Sequence, residues 1–281
     1  MHKLKILITG SCGMIGRELF IQLKDNKNID IKCVDLRYGN DLRNFKECLK
    51  LTKGIDEVYS LVGIKGNPKM TNEKPVDFMG PMLQFDTNMI IASQMNGVKK
   101  FLYTSSIAVE NPETDKYPAW AKRTAEVLIE AMRIQYPNGT KYCIVRPCNI
   151  YGKFDDLGKE NLMVISDLIR KGIKDDEIHA WGDGSSIRDF LNAKDCARGM
   201  IEVMNEMPDF PINLCSGKGI TIKQIGEIIA NKLNKPLIFE GENKGADKRV
   251  MNLNWHFKPI IDIKDGIEEV CEWKQKYWKG H

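Results

Sequence analysis

Histidine is scarce in this sequence, with four among 281 residues, and two of the four stand at positions 2 and 281. The eight cysteines include no CxxC pair, and Cys33 lies within an apolar run. Zinc sites and disulfide frameworks need such residues at regular spacing. The sequence therefore predicts neither a metal site nor a disulfide framework, and its cysteines are typical of buried thiols in a reducing cytosol.

Long apolar runs and blocks of basic charge are also missing. No stretch approaches the roughly 18 apolar residues that a membrane-spanning helix requires. The run at residues 4–8 is too short for the apolar region of a signal peptide. The 42 Lys and Arg residues exceed the 38 Asp and Glu residues by only 4 and are spread along the chain. We expect a cytoplasmic protein without membrane or nucleic-acid partners.

The sequence does contain an alternation of short apolar runs with segments of helical periodicity. Strands are predicted at residues 4–8, 31–35, 57–62, 100–105 and 141–146, and helices at residues 14–24, 42–51, 76–95 and 119–135. Strands separated by helices form a parallel sheet that is covered on both faces. We predict an α/β protein with a doubly wound parallel sheet, the Rossmann fold.

The alternation loosens after residue 152. Helices are predicted at residues 161–171, 194–205 and 222–233, and short strands at residues 178–181 and 212–214. This half of the chain predicts a smaller mixed α/β lobe. We place the first domain at residues 1–152, with segments that return to it from the second half, and the second lobe at residues 153–281.

A glycine-rich turn separates the first predicted strand from the first helix. Gly10, Gly13 and Gly16 have GxxGxxG spacing, which allows a sharp turn and the close approach of a pyrophosphate to the helix. Asp35 ends the second strand, where a carboxylate can accept both ribose hydroxyls of adenosine. This favours NAD over NADP, although Arg37 keeps NADP open. The alternative for the glycine motif is an ordinary turn between a strand and a helix. The alternative for Asp35 is a turn residue at the end of a strand.

With these motifs in this order, the chain resembles an extended short-chain dehydrogenase/reductase of the branch that modifies nucleotide-sugars. The resemblance covers nearly the whole sequence and rests on residues 9–16, Asp35, residues 41–43, residues 61–63, Asn88, residues 101–109, residues 120–122 with Glu126, residues 146–152, residues 182–184 and residues 188–190. It implies that the first domain binds NAD and that the second lobe binds a GDP-, UDP- or dTDP-linked sugar.

The same resemblance implies a set of cofactor-binding residues. They are Gly10, Cys12, Gly13, Met14, Ile15, Gly16, Asp35, Leu36, Asp41, Leu42, Leu61, Val62, Gly63, Asn88, Thr104, Lys122, Pro147, Asn149 and Ile150. The substrate-binding residues that it implies are Ser106, Asn149, Asn161, Arg188 and Arg249. An arginine suits a substrate pyrophosphate because its planar fork binds phosphate oxygens bidentately. For Arg188 and Arg249 the alternative is a structural ion pair.

The resemblance implies a catalytic Ser, Tyr and Lys, of which Ser106 and Lys122 are present. Their alternatives are a hydroxyl that bonds its own backbone and a solvated helix charge. The family spacing needs a tyrosine at position 118, which is Pro118 here. Because this proline favours a helix start at or after itself, we expect Tyr117 on the preceding loop, with its phenol towards the nicotinamide. If Tyr117 does not reach the nicotinamide, another acid–base group or a bound water transfers the proton, or catalysis is weakened.

Two subclasses are disfavoured by what stands beside Ser106. Dehydratases of this family carry an acidic pair where Ile107 and Ala108 stand here. Fucose-synthase-like enzymes use a Cys and a His, and the resemblance aligns these with Ala108 and Met163. The leading hypothesis is an NAD-dependent enzyme that oxidises a nucleotide-sugar at C4, as an epimerase or a dehydrogenase. The alternatives are a reductase of a nucleotide keto-sugar and a non-catalytic NAD-binding regulatory subunit.

The resemblance also implies a homodimer. In family members the helices that correspond to residues 76–95 and 119–135 pair into a four-helix interface. Their apolar positions in this sequence allow the same contact, and core packing explains those residues equally well.

Overall fold

The computed structural model describes residues 3–64, 68–113, 115–156, 162–241 and 247–278. It divides into two compact units. The first consists of Met1–Pro147 and Ala197–Asn213, and the second of Cys148–Cys196 and Leu214–His281. The first unit therefore includes a segment from the second half of the chain.

Strands and helices alternate through the first part of the chain. They are β1 (Leu4–Thr9), α1 (Met14–Leu23), β2 (Ile29–Val34), α2 (Phe45–Thr52), β3 (Glu57–Ser60), α3 (Pro68–Glu73), α4 (Pro75–Met95), β4 (Lys100–Thr104), α5 (Lys116–Gln135) and β5 (Lys141–Pro147). Further along lie β6 (Asn149–Tyr151), α6 (Val164–Lys174), β7 (Ile178–Trp181), β8 (Ile187–Asn192), α7 (Ala193–Glu206), β9 (Ile212–Leu214), β10 (Gly219–Thr221), α8 (Ile222–Leu233), β11 (Leu237–Glu240), β12 (Lys248–Arg249) and α9 (Ile263–Tyr277).

The main sheet has the strand order β2-β1-β3-β4-β5-β9. The pairs from β2 to β5 are all parallel. This confirms the predicted α/β fold with a parallel sheet. The strand order reverses between β1 and β3, because the chain runs outward to β2 and then crosses back. In open α/β sheets, ligands bind outside the carboxyl ends of the strands at such a switch point.

The helices α2, α4 and α5 pack side by side along one layer of this sheet. Beneath them, alternate strand residues such as Leu7, Phe101 and Tyr103 form a core with inward helix residues such as Phe85 and Ile129. Each such apolar side chain contributes about 1.5–3 kcal/mol when it is fully buried. The layer fixes the strand ends and the helix starts that line the switch point.

Two helix starts in the first unit differ by three residues from the sequence prediction. The helix α2 begins at Phe45 rather than at residue 42, because the Asn44 side chain accepts hydrogen bonds from the N–H groups of Lys46 and Glu47. The helix α5 begins at Lys116 rather than at residue 119. The second difference places the candidate catalytic residue Tyr117 within the helix.

The second unit contains a smaller mixed sheet. Its order is β10-β8-β12, with β6 also paired to β8; β10 runs antiparallel to β8, while β12 and β6 run parallel to it. The strands β7 and β11 form a separate parallel pair. The helices α6, α8 and α9 bury a core that includes Ile169, Ile225 and Ile267. The strands β6, β8, β10, β11 and β12 and the helix α9 have no counterpart in the sequence prediction.

Among the residues that the structure describes, no helix is both long enough and apolar enough to cross a membrane.

Candidate functional site

The turn between β1 and α1 requires glycine at two positions. Gly10 has a φ of +66°, and a Cβ there would lie 3.1 Å from the carbonyl group of Leu61. A Cβ on Gly16 would overlap the carbonyl oxygen of Gly10 and lie 2.8 Å from the Cα of Ser11. The glycines therefore bring the start of α1 close to the end of β1, at the switch point of the sheet.

The amino-terminal end of α1 is open to an anion. Gly13 precedes the helix without a side-chain cap, and the first turn, which the structure describes in full, has no acidic residue. The first-turn N–H groups, from Met14 through Ile15 to Gly16, and the helix dipole present positive partial charge at this end. Cys12, which is part of the turn, is buried. A pyrophosphate fits such a helix start.

Asp35 is held firmly beside this turn. Its Oδ2 accepts a hydrogen bond of 3.0 Å from the N–H of Cys12, and its Oδ1 accepts one of 3.0 Å from the N–H of Arg37. A carboxylate has about four lone-pair sites, so two remain for ribose hydroxyls. The next residue, Leu36, is exposed and offers apolar surface that an adenine ring would cover.

The loop after residue 40 is supported from below. Asn88 donates through Nδ2 to the carbonyl oxygens of Leu42 and Arg43, at 3.0 and 2.9 Å. The Leu42 side chain is buried in the core. Hydrogen bonds from Arg43 to Asp41 lower the pKa of that carboxyl. The structure thus shows Leu42 and Asn88 shaping this loop, while Asp41 lies at its surface in an ion pair.

The ends of β3 and β4 complete the rim of the switch point. The N–H of Leu61 donates to Thr9 Oγ1 at 3.2 Å, and Val62 and Gly63 follow on the same segment. Thr104 ends β4 with a buried Oγ1 that has no hydrogen-bond partner within the described structure. A cradle that only glycine can form and an orphaned hydroxyl at its rim both fit a bound dinucleotide.

Ser106 follows β4 in extended conformation and caps a short 3-10 turn, residues 107–110. Its Oγ accepts a hydrogen bond of 3.2 Å from the N–H of Ala108. The local backbone bond that we considered as an alternative is therefore present. Because the hydroxyl oxygen acts there as an acceptor, its hydrogen can still donate to a ligand oxygen.

The expectation that Tyr117 lies on a loop is wrong, because α5 already begins at Lys116. Pro118 fits in the first turn, where its missing N–H has no helical partner to lose. The first helical bond runs from the N–H of Ala119 to the carbonyl of Asp115, at 2.9 Å. Residues five apart on a helix differ by about 140° in direction. Tyr117 and Lys122 therefore lie on different sides of α5.

Lys122 is buried, and its ammonium group faces a carboxylate that the sequence patterns missed. Its Nζ lies 3.3 Å from Asp86 Oδ2 and 4.9 Å from the ring centroid of Tyr103. The Tyr103 hydroxyl donates to the same Asp86 oxygen at 2.7 Å. Burial raises the pKa of Asp86, and the nearby Lys122 charge opposes that rise. The sequence signal that could have revealed Asp86 is a carboxylate among the apolar residues of the predicted helix 76–95.

One turn further along α5, Glu126 anchors the helix to the sheet. The Glu126 carboxylate accepts two hydrogen bonds from Arg146 on β5, at 2.9 and 2.7 Å, and one from Arg123 at 2.8 Å. Burial is the largest single influence and raises the pKa of Glu126, but its hydrogen bonds and the charge of Arg146 together outweigh burial and lower the pKa. This anchor fixes the face of α5 that carries Lys122.

In the second unit, the two predicted phosphate-binding arginines are brought together. Arg188 on β8 and Arg249 on β12 are paired residues of the sheet. Arg188 Nη2 and Arg249 Nε donate to the same oxygen, Asp247 Oδ2, at 2.8 and 3.0 Å. The ion pair considered as an alternative is present, with Asp247 as the partner. The pair also shows that one anion can contact both guanidinium groups.

Three further predicted residues, Pro147, Asn149 and Ile150, lie on β5 and β6. Asn149 donates through Nδ2 to the carbonyl oxygen of Asp189 at 2.9 Å, next to Ile150 on β6. Pro147 is buried at the end of β5. Asn161 lies outside the described residues.

A comparison with known protein families identifies the relationship. A family model described as "NAD dependent epimerase/dehydratase family" matches residues 6–214, which include the glycine turn, Asp35, Ser106, Lys122 and Arg188. The chain belongs to this family. The resemblance stated from the sequence motifs is thereby confirmed, and a nicotinamide cofactor is the cofactor of the family.

Individual relatives are similar over almost the whole chain. A putative GDP-L-fucose synthase 2 from Arabidopsis thaliana is 28% identical and covers 96% of this chain and 91% of its own length. A solved UDP-glucose 4-epimerase from Thermotoga maritima superposes with a TM-score of 0.85 at 20% identity, covering 97% and 99% of the two chains.

A second solved structure, a GDP-mannoheptose C4 reductase from Campylobacter jejuni with NADP bound, has a TM-score of 0.81 at 22% identity and covers 97% of this chain and 98% of its own. These two structures share the fold of this chain, which agrees with the predicted Rossmann architecture.

Proposed function

We propose that this protein binds NAD and a nucleotide-diphosphate sugar and transfers hydride at C4 of the sugar. The observation that carries the proposal is the glycine cradle at the switch point, with Asp35 fixed beside it by the N–H of Cys12 at 3.0 Å. The named relatives, a fucose synthase, a 4-epimerase and a C4 reductase, act on nucleotide-sugars, and this supports the same substrate class here.

The candidate residues of the first unit have separate roles in this proposal. The start of α1 holds the pyrophosphate, Asp35 accepts from the adenosine ribose, and Lys122 reaches the nicotinamide ribose. When bound, the cofactor would supply a hydride acceptor for a C4 alcohol or a hydride donor for a C4 ketone. Ser106 donates its hydroxyl hydrogen to the sugar oxygen at C4. The proton of that oxygen passes to or from an acid–base group, for which Tyr117 is our candidate.

Asp35 supports NAD rather than NADP. A 2′-phosphate would place negative charge against a carboxylate that two backbone N–H groups hold in place. The C4 reductase of similar fold binds NADP. Parallel titrations with NADH and NADPH therefore test this part of the proposal, and tighter binding of NADPH would contradict it.

In the second unit, Arg188 and Arg249 bind the substrate diphosphate. They already share one carboxylate oxygen of Asp247, and a diphosphate offers more negative charge and more acceptor oxygens than that carboxylate. Binding therefore requires the substrate to take the place of the Asp247 side chain. Mass spectrometry of nucleotides and sugars that co-purify with the protein would identify the base and the sugar.

The direction of hydride transfer separates two forms of this function. We expect oxidation at C4, as in an epimerase or a dehydrogenase; the C4 reductase of similar fold supports the opposite direction. Single-turnover assays distinguish them. NAD with a nucleotide-sugar produces NADH in the first case, and NADH with a nucleotide 4-keto-sugar is consumed in the second. No absorbance change at 340 nm in either assay would contradict hydride transfer altogether.

A second candidate function is a non-catalytic cofactor-binding subunit. Pro118 occupies the position of the family tyrosine, and Tyr117 lies on a different side of α5 from Lys122, which favours this candidate. The variant Tyr117→Phe tests it. If Tyr117 is the acid–base group, kcat falls roughly 100-fold while NADH affinity stays within about twofold. Full activity would mean that another group transfers the proton, and wild-type protein without turnover would support the non-catalytic subunit.

We also propose a homodimer through α4 and α5. Several large apolar side chains on these helices are exposed in the isolated chain: Val76, Met95, Trp120, Val127 and Ile134. Covering such a surface is favourable in water. Sedimentation equilibrium at micromolar protein concentration is expected to give twice the chain mass, and a single-chain mass would contradict the dimer.

A further inference from the structure

Lys122 is enclosed by groups from three elements rather than exposed to solvent. Asp86 reaches it from α4, and the ring of Tyr103 lies beside it from β4, while the lysine itself stands on α5. The side chain of Lys122 is 9% exposed and that of Asp86 is 2% exposed. The ammonium is therefore paired with the Asp86 carboxylate in a largely dry environment.

Such a pair is not explained by stability alone. Removing two charges from water costs several kcal/mol per ion, and the attraction between them does not in general exceed that cost. The pair is also incomplete, because Asp86 Oδ1 is buried and has no hydrogen-bond partner within the described structure. An apolar pair of similar volume would suit a helix–helix contact at least as well. The charge at position 86 therefore points to a role beyond packing.

We propose that Asp86 is a positioning residue that balances the charge of Lys122 and aims its ammonium group for the cofactor. An ammonium in an apolar environment loses its proton readily unless an opposite charge stands beside it. Asp86 supplies that charge, and the Tyr103 ring limits where the ammonium can lie. This inference rests on the proposed function, in which Lys122 reaches the nicotinamide ribose.

Tyr103 offers a matched control within the same cluster. Its hydroxyl donates to the Asp86 oxygen that also faces Lys122. Tyr103→Phe removes one buried hydrogen bond to Asp86 but leaves the ring and both charges in place. Asp86→Asn keeps the size and the acceptor oxygen but removes the negative charge. A purely structural role of Asp86 predicts similar consequences for the two variants, and a positioning role predicts different ones.

The first measurement needs no cofactor. Urea unfolding compares the wild type with Asp86→Asn, Lys122→Met and the double variant. Asp86→Asn leaves an unpaired buried ammonium, so we expect it to be destabilised and Lys122→Met to restore part of the lost stability in the double variant. Strictly additive effects of the two substitutions would show that the ion pair does not exist in solution and would overturn the proposal.

The second measurement is the dissociation constant of NADH between pH 7 and pH 9. We expect Asp86→Asn to weaken binding about tenfold, with a loss that grows as pH rises, and Tyr103→Phe to stay within about twofold of the wild type. The titratable groups that face Asp86 are Lys122 and Tyr103, and Glu126 acts on Tyr103 from further along α5.

Two results in this measurement would overturn the proposal. One is an equal loss of NADH affinity in Asp86→Asn and Tyr103→Phe, and the other is unchanged affinity in Asp86→Asn at every pH. Failure of the proposed function has a different signature, which is a wild-type protein that binds no NADH while the unfolding experiment still reports coupling between positions 86 and 122. In that case the positioning role falls with the proposed function, although the ion pair is real.

Discussion

The two parts of the candidate site in the first unit differ in completeness. At the ends of β1 and β2, Gly10, Gly16 and Asp35 have the geometry that a dinucleotide requires. At the start of α5, Pro118 takes the place of the family tyrosine, and Lys122 is paired with Asp86. The residues proposed for the adenosine half of the cofactor and those proposed for proton transfer thus lie on separate stretches of chain. Substitutions at the start of α5 can therefore alter proton transfer while the glycine turn and Asp35 are retained.

The largest effect is expected at Gly16. A side chain there overlaps the carbonyl oxygen of Gly10, so we predict that Gly16→Val weakens NADH binding at least roughly 100-fold, which corresponds to about 2.7 kcal/mol. The measurement is a fluorescence titration, and circular dichroism checks that the variant is folded. Gly80 on α4 is the matched control, because an added Cβ meets open space there. Retained affinity in folded Gly16→Val would show that the cofactor does not use this turn.

In the second unit, we expect two substitutions to change the affinity for a nucleoside diphosphate about tenfold, in opposite directions. Arg188→Ala removes charge-assisted hydrogen bonds to the substrate diphosphate, which contribute about 1.5–3 kcal/mol, and should weaken the binding of GDP or UDP. Asp247→Ala removes the carboxylate that the two arginines share and should strengthen it. Calorimetric titration measures both. If the two variants change affinity in the same direction, Asp247 does not occupy the anion position.

A change in cofactor preference is expected at Asp35. Asp35→Asn removes the charge that repels a 2′-phosphate and weakens the acceptor for ribose hydroxyls. We predict that NADH affinity falls by about a factor of ten while NADPH affinity is unchanged or higher, as measured by titration with each cofactor. Arg37→Gln serves as the neighbouring control. A fall in the affinity for both cofactors would indicate that Asp35 acts mainly by holding the turn through the N–H of Cys12.

The parts of the candidate site that are formed by residues close together in the sequence were predictable. The glycine turn and Asp35 need only a strand, a turn and a second strand, which apolar runs and glycine spacing reveal. The Lys122–Asp86 pair was not predicted, because it depends on how α4 and α5 pack against β4. Tyr117 was misplaced because proline is compatible both with a helix start and with the first turn, and the sequence does not distinguish the two.

The last effect is on acid stability rather than on binding affinity, and we expect it in the first unit. The pKa of Glu126 is lowered on folding, so its ionised form stabilises the fold above the unfolded pKa of about 4.3. That contribution is lost as pH falls through the folded value. Glu126→Gln should cost roughly 3 kcal/mol at pH 7 and flatten the fall in stability below about pH 4. Urea unfolding from pH 3 to pH 7 measures this, and a wild-type slope in the variant would exclude Glu126 as its source.

The central claim is that the turn between β1 and α1 holds a nicotinamide dinucleotide. An equilibrium titration of the purified wild-type chain with NADH, followed by nucleotide fluorescence, tests it most directly. The account predicts saturable binding with about one NADH per chain, which ADP displaces by competing for the same pyrophosphate position. Absence of saturable binding of both NADH and NADPH, by a chain that unfolds cooperatively in urea, would contradict it.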